Sequence, residues 1–339
     1  MAGFDFDKTA IEGAFTFGTF GCKVFRANPD TPDRLKPDVA LTRQFYNDKI
    51  TMPDGRAVEF WGFEDPASKI RKPFPSAPIR VREGQVVHTT IKSGKGSHTI
   101  HHHAINSSPF NDGVGHTSFE VNGSYTYQWR AHGAGTYFYH CHKNTVLHLE
   151  MGMYGALIVD PPDGPGRAFA GGPRYEVERI WVADDVDPAW RLLEHDAGLC
   201  GEDVGLNDFN PKYFLVTGVP SARTRSDPRV AVRARAGQSV LVRLINASYS
   251  VLRVTLGVPV RVVTADGHPL GTPDRPWSQP FTIPAGQPFE MTSAQRYDLM
   301  IDAVAPGRFA ARLEFRHWIT GEIHDGGRGI AESEIVVTA

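Results

Sequence analysis

The chain has 339 residues, of which 41% are apolar, enough to fill the cores of about two ordinary domains. Its formal net charge is −2 and its basic residues are scattered, so we expect no nucleic-acid partner and no binding to a membrane surface. No stretch approaches the roughly 20 apolar residues that a membrane-spanning helix requires, which argues against that class as well.

Cysteine usage and the first residues of the chain bear on its compartment. The three cysteines, at positions 22, 141 and 200, are too few for a disulfide scaffold. A bridge between Cys22 and Cys200 is the one pairing that leaves Cys141 unmodified. Residues 1–8 lack the basic region and apolar core of a secretory signal, although a signal removed from the mature chain would leave no trace. We therefore expect a reduced, cytoplasmic protein.

Taken in chain order, the sequence predicts an extension followed by two β-domains. Residues 1–35 are expected to pack as an N-terminal extension on a first domain at 36–160. Short β-type runs separated by turns recur along the chain, and glycine (34 residues) and proline (25 residues) are frequent. This spacing is typical of β-sandwiches. The Pro- and Gly-rich residues 160–166 are the expected linker to a second domain at 170–339, so the predicted fold class is all-β.

Nine of the fourteen histidines lie between positions 98 and 148, and two segments of β-type sequence contain seven of these nine. The first runs His-Thr-Ile-His-His-His from position 98, and the second contains Tyr-His-Cys-His from position 139. Side chains alternate between the two faces of a strand. His101 and His103 are therefore expected on one face, whereas His98 and His102 lie on the other, where His102 is expected to be a bystander.

One face of these segments predicts a blue-copper site. On it, His98 and Cys141 can meet two residues that the following loop supplies, His148 and Met153. Two imidazoles, a thiolate and a weak thioether are the ligand set of a blue-copper electron-transfer centre. Zinc is the competing interpretation, because imidazole and thiolate also suit zinc. The thioether of Met153 favours copper, the softer metal.

The opposite face predicts a second metal site made only of imidazoles. It brings the pair His101 and His103 together with the pair His140 and His142. Because Cys141 stands between the two histidines of the second pair, an electron that arrives at its sulfur has a short bonded path to this second site. The sequence therefore predicts two coupled copper sites in the first domain.

These segments resemble the multicopper oxidase family, which includes laccases, their two-domain relatives and the copper nitrite reductases. The resemblance extends from about Pro78 onward. It is carried by Ser97-His-Thr-Ile-His-His-His, Asp112-Gly-Val-Gly-His, Gly135-Thr-Tyr-Phe-Tyr-His-Cys-His and His148-Leu-Glu-Met-Gly-Met in the first domain, and by Ala265-Asp-Gly-His-Pro-Leu and Gln295-Arg-Tyr-Asp-Leu in the second. It implies two cupredoxin-like Greek-key β-sandwich domains with copper as the cofactor.

The resemblance also implies a role for each candidate residue. The blue-copper roles fall to His98, Cys141, His148 and Met153. Half of the ligands of an oxygen-reducing trinuclear copper cluster would be His101, His103, His140 and His142. Asp112 resembles the acidic residue that assists proton delivery near that cluster. A homotrimer is implied as well, with the cluster built between the first domain of one subunit and the second domain of its neighbour.

The second domain departs from the family pattern. A complete cluster needs a second His-x-His motif and a further histidine pair, but residues 170–339 contain only four histidines and no His-x-His. His317 and His324 lie near a family ligand region, although their spacing does not match it. The sequence thus predicts a second domain without an obvious copper ligand set, and it leaves open whether the cluster is complete.

Three functions remain open at this stage. The leading interpretation is a copper-dependent, laccase-like oxidoreductase that takes single electrons from a small organic substrate, a phenol or an aromatic amine, and reduces molecular oxygen. A copper nitrite reductase is the second, although His101 stands where those reductases resemble one another in carrying an aspartate. The third is a non-catalytic blue-copper electron-transfer protein, which the ligand-poor second domain favours.

Overall fold

The computed structural model describes residues 36–114, 119–193, 208–273, 276–302 and 304–339, with the backbone of short strands at 15–17 and 23–25. Helical structure in this part of the chain consists of the short helices α1 (Thr145–Glu150) and α2 (His324–Gly327) and single 3₁₀ turns at Trp190–Leu192 and Ser221–Arg223. No helix among the described residues is both long and apolar enough to cross a bilayer. The remaining elements are strands, so the predicted all-β class is confirmed.

The first sandwich consists of two four-stranded sheets. In spatial order, one sheet contains β4 (Ala57–Glu64), β3 (Val39–Thr51), β6 (Val86–Lys92) and β9 (Ser124–Arg130). The other contains β5 (Ile79–Arg82), β11 (Tyr154–Asp160), β10 (Gly135–His140) and β7 (His101–His103). In β5, Ile79 and Val81 are buried between the sheets while Arg80 and Arg82 point out, the alternation expected of a half-buried strand.

A small three-stranded sheet joins the N-terminal extension to this sandwich. It contains β1 (Phe15–Phe17), β2 (Lys23–Phe25) and β8 (Phe119–Val121), and β2 lies parallel to β8. Val121 of β8 also forms a two-bond bridge with His98. The extension therefore pairs with the strand that supports one of the candidate ligands.

The second sandwich contains the remaining strands. One sheet consists of β14 (Val219–Pro220), β13 (Tyr213–Val216), β12 (Val177–Val186), β16 (Val240–Asn246), β22 (Arg296–Ile301), β18 (Val260–Ala265) and β19 (His268–Pro269), with β20 (Phe281–Ile283) on β18. The other consists of β15 (Val232–Arg235), β24 (Ile330–Thr338), β23 (Gly307–Arg316), β17 (Val251–Leu256) and β21 (Pro288–Met291). The largest apolar core of the protein lies between these sheets.

The two sandwiches pack directly on each other through the outer face of β10 and β11. Phe138 and Tyr154 form a buried cluster with Val182 and Ile245 of the second sandwich. This outer face is also the one that carries His140, because His140 lies two residues after Phe138 in the same strand. The imidazoles predicted for the second metal site therefore lie beside the junction of the two sandwiches.

Candidate metal centres

The first centre is formed by three side chains that arrive from separate elements. His98 precedes β7, Cys141 directly follows β10, and His148 lies in α1. The Sγ of Cys141 lies 3.9 Å from Nδ1 of His98 and 3.3 Å from Nδ1 of His148. Two ligands at ~2.0 Å (nitrogen) and ~2.3 Å (sulfur) from a tetrahedral metal ion are about 3.5 Å apart, so this group fits a single ion. We call these three residues and Met153 the thiolate centre.

Hydrogen bonds set the tautomer that a metal would need at His98. Its Nε2 lies 3.1 Å from the carbonyl oxygen of Lys95, which can only accept, so the proton is on Nε2 and the lone pair is on Nδ1, facing Cys141. Burial raises the pKa of the Cys141 thiol to about 11. Without a metal, Cys141 is therefore a neutral thiol, and a bound cation would displace its proton.

Met153 completes the residues that the sequence predicted for this centre. It is fully buried in the same apolar cluster as Cys141. Its main chain is hydrogen-bonded to two of the other residues of the centre. The carbonyl of Met153 accepts from Cys141 N–H at 2.9 Å, and its N–H donates to His148 O at 3.0 Å. The expectation that His148 arrives on a loop was wrong: Asn144, in the left-handed conformation, starts the helical turn that contains it.

The second centre is a group of imidazoles on the outer face of β7 and β10. One ring nitrogen from each of His101, His103 and His140 lies within 4.8 Å of the others. His103 Nδ1 and His140 Nε2 are 3.3 Å apart, which is the separation expected for two nitrogens at ~2.0 Å from one tetrahedral ion. The strand parity predicted from the sequence does bring these residues together. We call this group, with His142, the imidazole cluster.

Main-chain carbonyls orient two rings of the imidazole cluster. His101 Nδ1 donates to Asp112 O at 2.7 Å, and His140 Nδ1 donates to Cys141 O at 2.9 Å. In each ring the proton is therefore on Nδ1, and Nε2 keeps the lone pair that can bind a metal. The rings are thus held in the tautomer that a metal site requires.

His142 lines the imidazole cluster but is held slightly apart. Its ring centre lies 5.3 Å from that of His101 and 5.6 Å from that of His140. Its Nδ1 is 2.9 Å from Thr145 Oγ1, and its main-chain N–H donates to Thr99 Oγ1. His142 is therefore a fourth imidazole at the edge of the three-nitrogen group.

Burial keeps two imidazoles of the cluster, those of His103 and His140, neutral. The pKa of His103 is lowered to about 3, chiefly by burial, with further contributions from the charge of Arg296 and from His101. The pKa of His140 is also lowered well below its ordinary value, again mainly by burial. A neutral imidazole is the form that binds a metal, so His103 and His140 are available to a cation below neutral pH.

Asp112 has a positioning contact as well as a carboxylate near the cluster. Its carbonyl holds His101, and its carboxylate Oδ1 lies 3.4 Å from the same Nδ1. The segment of Asp112 can come this close to β7 only because the next residue is glycine. A Cβ on Gly113 would lie 1.9 Å from the carbonyl oxygen of Ile100. The proton-delivery role of Asp112 remains a prediction.

The other histidines divide between the core, the second sandwich and undescribed segments. His102 packs against Trp129 in the core, its Nε2 3.2 Å from Thr89 Oγ1, which is the bystander position that parity predicted. His317 and His324 lie together in the second sandwich with their ring centres 5.5 Å apart. Cys22, Cys200, His116 and His195 lie outside the described residues.

Two aromatic residues that the sequence did not single out cover the thiolate centre. The ring of Phe45 stacks on His98, with centroids 4.5 Å apart and planes at 13°. The ring of Trp61 meets His148 edge-on at 5.4 Å and His98 at 6.0 Å. Both come from β3 and β4, far from the His-Cys-His motif, and no local pattern marks them.

The chain resembles known copper proteins in sequence. Residues 54–164 match the family model described as multicopper oxidase. The chain is 26% identical over 259 residues to the multicopper oxidase MmcO of Mycobacterium tuberculosis, covering 68% of this chain and 46% of that protein. It is 28% identical over 142 residues to a copper-containing nitrite reductase of Neisseria meningitidis, covering 40% and 35%. The chain thus spans less than half the length of these two curated relatives.

Solved structures show the same fold. A blue copper oxidase from Nitrosomonas europaea superposes with a TM-score of 0.68 at 22% identity, covering 88% of this chain and 86% of that one. A copper nitrite reductase from the same organism gives a TM-score of 0.61 at 20% identity, covering 89% and 94%. The predicted cupredoxin-like fold is confirmed. The resemblance seen in the motifs is confirmed too: residues 54–164 match the multicopper oxidase family model, and the chain is similar in sequence to curated multicopper oxidases.

Proposed function

We propose that this chain is a copper-dependent, laccase-like oxidase. It would take single electrons from a small organic donor, a phenol or an aromatic amine, at the thiolate centre and pass them to the imidazole cluster, where molecular oxygen is reduced. Copper would be held at the first by His98, Cys141, His148 and Met153, and at the second by His101, His103, His140 and His142. Bound copper supplies one-electron chemistry at the first centre and oxygen chemistry at the second.

The observation that carries this proposal is the position of Cys141 between the two centres. Its sulfur belongs to the thiolate centre, while its carbonyl accepts a hydrogen bond from His140 Nδ1–H at 2.9 Å. Cys141 is bonded to His140 on one side and to His142 on the other. A residue shared in this way gives an electron a short path of covalent and hydrogen bonds, which an isolated electron carrier does not need.

Within this mechanism the protein's own residues orient ligands and supply protons. The carbonyls of Asp112 and Cys141 hold two imidazoles in the metal-binding tautomer, and burial keeps His103 and His140 neutral. The Asp112 carboxylate is partly exposed beside His101, so it is placed to take protons from solvent and deliver them to the cluster.

We propose that a neighbouring subunit of a homotrimer closes the imidazole cluster. His101, His103 and His142 are partly exposed on one side, and the three nitrogens that converge in the described part of the chain all come from the first sandwich. His317 and His324 are the histidines of the second sandwich that a neighbour could offer. His317 Nδ1 accepts the N–H groups of Ile319 and Thr320, so Nε2 carries the proton. His317 would therefore have to give up these hydrogen bonds and move that proton to Nδ1 before Nε2 could bind copper.

Nitrite reduction is the second candidate, and one observation favours it. The convergent group has three nitrogens rather than four, and His142 is held by Thr145. Three imidazoles suit a single catalytic copper better than a multinuclear cluster. Similarity to nitrite reductases in sequence and fold supports this alternative.

Copper content and oxygen uptake test the proposal together. The protein is reconstituted with copper under anaerobic conditions, and copper per chain is measured with optical and electron paramagnetic resonance spectra. The proposal expects a blue thiolate band, a second distinct copper signal and oxygen uptake driven by an aromatic diamine. Nitric oxide formation from nitrite, without oxygen uptake, would favour the reductase. A single blue copper with neither activity would leave an electron carrier.

A further inference from the structure

The ligands of the thiolate centre are shielded from solvent. His98 and His148 are each 2% exposed, and Cys141 and Met153 are fully buried. A small donor therefore cannot touch an imidazole edge of this centre without a rearrangement. If electrons enter from a donor in solution, they have to cross the side chains that cover the histidines.

The cover consists of Phe45 and Trp61. Both side chains are partly exposed, so each has one side toward solvent and one toward the centre. Their rings pack edge to face, with centroids 5.6 Å apart. Trp61 is the one of the two that contacts both histidine rings. A donor stacked on this pair would be separated from the ligands by a single layer of aromatic rings.

Hydrogen bonds fix Trp61 relative to the ligand loop. Its main-chain N–H donates to Met151 O at 2.9 Å, in the segment between His148 and Met153. Its ring Nε1–H donates to the carboxylate of Glu59 at 2.9 Å. The indole is thus attached at both its backbone and its polar edge, which holds the distance from the ring to the centre constant.

We propose that Trp61, with Phe45 beside it, is the docking surface and entry point for an aromatic electron donor. The proposal deepens the oxidase function above and rests on it. Aromatic rings bind one another by offset or edge-to-face packing, and such a pair is worth ~0.5–1.5 kcal/mol beyond area burial. The chemical class that this surface selects is a small, planar aromatic amine or phenol.

Each turnover of this entry step moves one electron. The donor is oxidised by one electron to its radical cation and then releases a proton to water. A copper ion held by Cys141 and the two histidines would accept this electron, which would cross the Trp61 ring on its way from the donor. Trp61 is unchanged at the end of the step, so no further oxidant or reductant is needed.

The test compares Trp61→Leu with Trp277→Leu in the copper-loaded protein. Trp277 is 79% exposed and lies in the second sandwich, so it controls for loss of a surface indole. Bleaching of the blue band is followed anaerobically by stopped flow with an aromatic diamine and with ferrocyanide, which cannot stack. The diamine rate should fall about three- to tenfold in Trp61→Leu, the factor that matches loss of one aromatic pair. The ferrocyanide rate in Trp61→Leu should fall clearly less than the diamine rate, because ferrocyanide loses no stacking contact, and both rates in Trp277→Leu should stay near wild type.

A second measurement keeps the proposal testable if Trp61→Leu fails to load copper. Binding of aniline to the metal-free protein is measured by saturation-transfer NMR in wild type, Trp61→Leu and Trp61→Phe. Binding should be lost in the leucine variant and restored in the phenylalanine variant. Equal diamine rates, or equal aniline binding, in wild type and Trp61→Leu would overturn the entry assignment. Because bleaching needs no oxygen, absence of oxygen uptake would count against the oxidase function alone.

Discussion

His140 and Cys141 are joined twice, by the peptide bond and by a hydrogen bond from His140 Nδ1 to the carbonyl of Cys141 at 2.9 Å. The bond turns Nε2 of His140 toward His103, whose Nδ1 lies 3.3 Å away. The side chain of Cys141 meanwhile faces His148 on the other side of the strand end. The two candidate centres therefore share one residue, and substitutions can separate them.

Cys141→Ser should abolish the blue colour of the copper-loaded protein. A serine hydroxyl stays protonated and hard, so it cannot replace the thiolate whose bond to copper gives the intense absorption. Visible absorption and electron paramagnetic resonance of the loaded variant measure the change. His132→Ala, an exposed histidine of the same sandwich, should keep its colour. A blue band that survived in Cys141→Ser would show that the sulfur ligand is elsewhere.

The double variant His101→Ala with His103→Ala should disrupt the imidazole cluster and leave the thiolate centre intact. Removal of two of the three convergent nitrogens leaves the thiolate centre intact, because no atom of that group is changed. We expect an unaltered blue band, fewer coppers per chain, and oxygen uptake reduced by more than about 100-fold, since ligand loss exceeds the 10–100-fold effect of losing an outer partner. His132→Ala is again the matched control. Unchanged oxygen uptake would place oxygen chemistry elsewhere.

Strand parity explains why so much of the site could be predicted from the sequence. His101, His103 and His140 converge because β7 and β10 are hydrogen-bonded neighbours with His101 opposite His140. In that register, residues on one face of each strand must meet. The assignment needed only the local pattern of the two segments. The same reasoning placed His102 on the face opposite His101 and His103, and the structure shows that this face is buried against Trp129.

The remainder depends on packing between distant segments, which no local pattern encodes. The helical turn at His148 begins at Asn144 in a left-handed conformation, a choice made by the fold around it. Phe45 and Trp61 reach the thiolate centre from β3 and β4, which are distant in the chain from the ligands that they contact, so only the assembled sandwich brings them there. The burial of the carboxylates of Asp184 and Asp298 likewise depends on how the two sandwiches pack, so no local sequence pattern predicts it.

Asp184→Asn should raise the free energy of unfolding at alkaline pH. Asp184 is 3% exposed, and burial, with the charge of Asp185, raises its pKa from 3.8 to about 8. The folded state therefore binds this proton more tightly than the unfolded state. Its stabilising contribution is complete below pH 3.8 and is lost as pH rises toward 8, at up to about 1.4 kcal/mol per pH unit. The amide side chain in the Asp184→Asn variant has no titrating proton to lose, so this pH-dependent loss of stability should not occur there.

Urea unfolding of the metal-free protein at pH 5 and pH 8 measures this effect. The difference between Asp184→Asn and wild type should be clearly more favourable to the variant at pH 8 than at pH 5. Asp227→Asn provides the opposite control, because Arg229 lowers the pKa of that carboxyl. An Asp184→Asn effect that is the same at both pH values would mean that the Asp184 carboxyl does not change protonation in this range.

Arg243→Met should destabilise the junction between the sandwiches. Arg243 is fully buried, and its guanidinium donates to Glu178 at 2.7 Å, to Asp298 at 3.3 Å and to Thr136 Oγ1 of the first sandwich at 3.1 Å. The substitution leaves the buried carboxylate of Asp298 without its cation, which typically costs about 3–5 kcal/mol. Chemical unfolding monitored by fluorescence measures the loss.

A second substitution shows whether the uncompensated charge is the cause. Arg243→Met combined with Asp298→Asn should recover much of the lost stability, because the amide carries no charge and can still accept from Thr264. Arg308→Met breaks an ion pair of similar length whose arginine is 70% exposed, and it should cost less than about 1 kcal/mol. If both single arginine variants were equally mild, the buried network would contribute no more to stability than a surface ion pair.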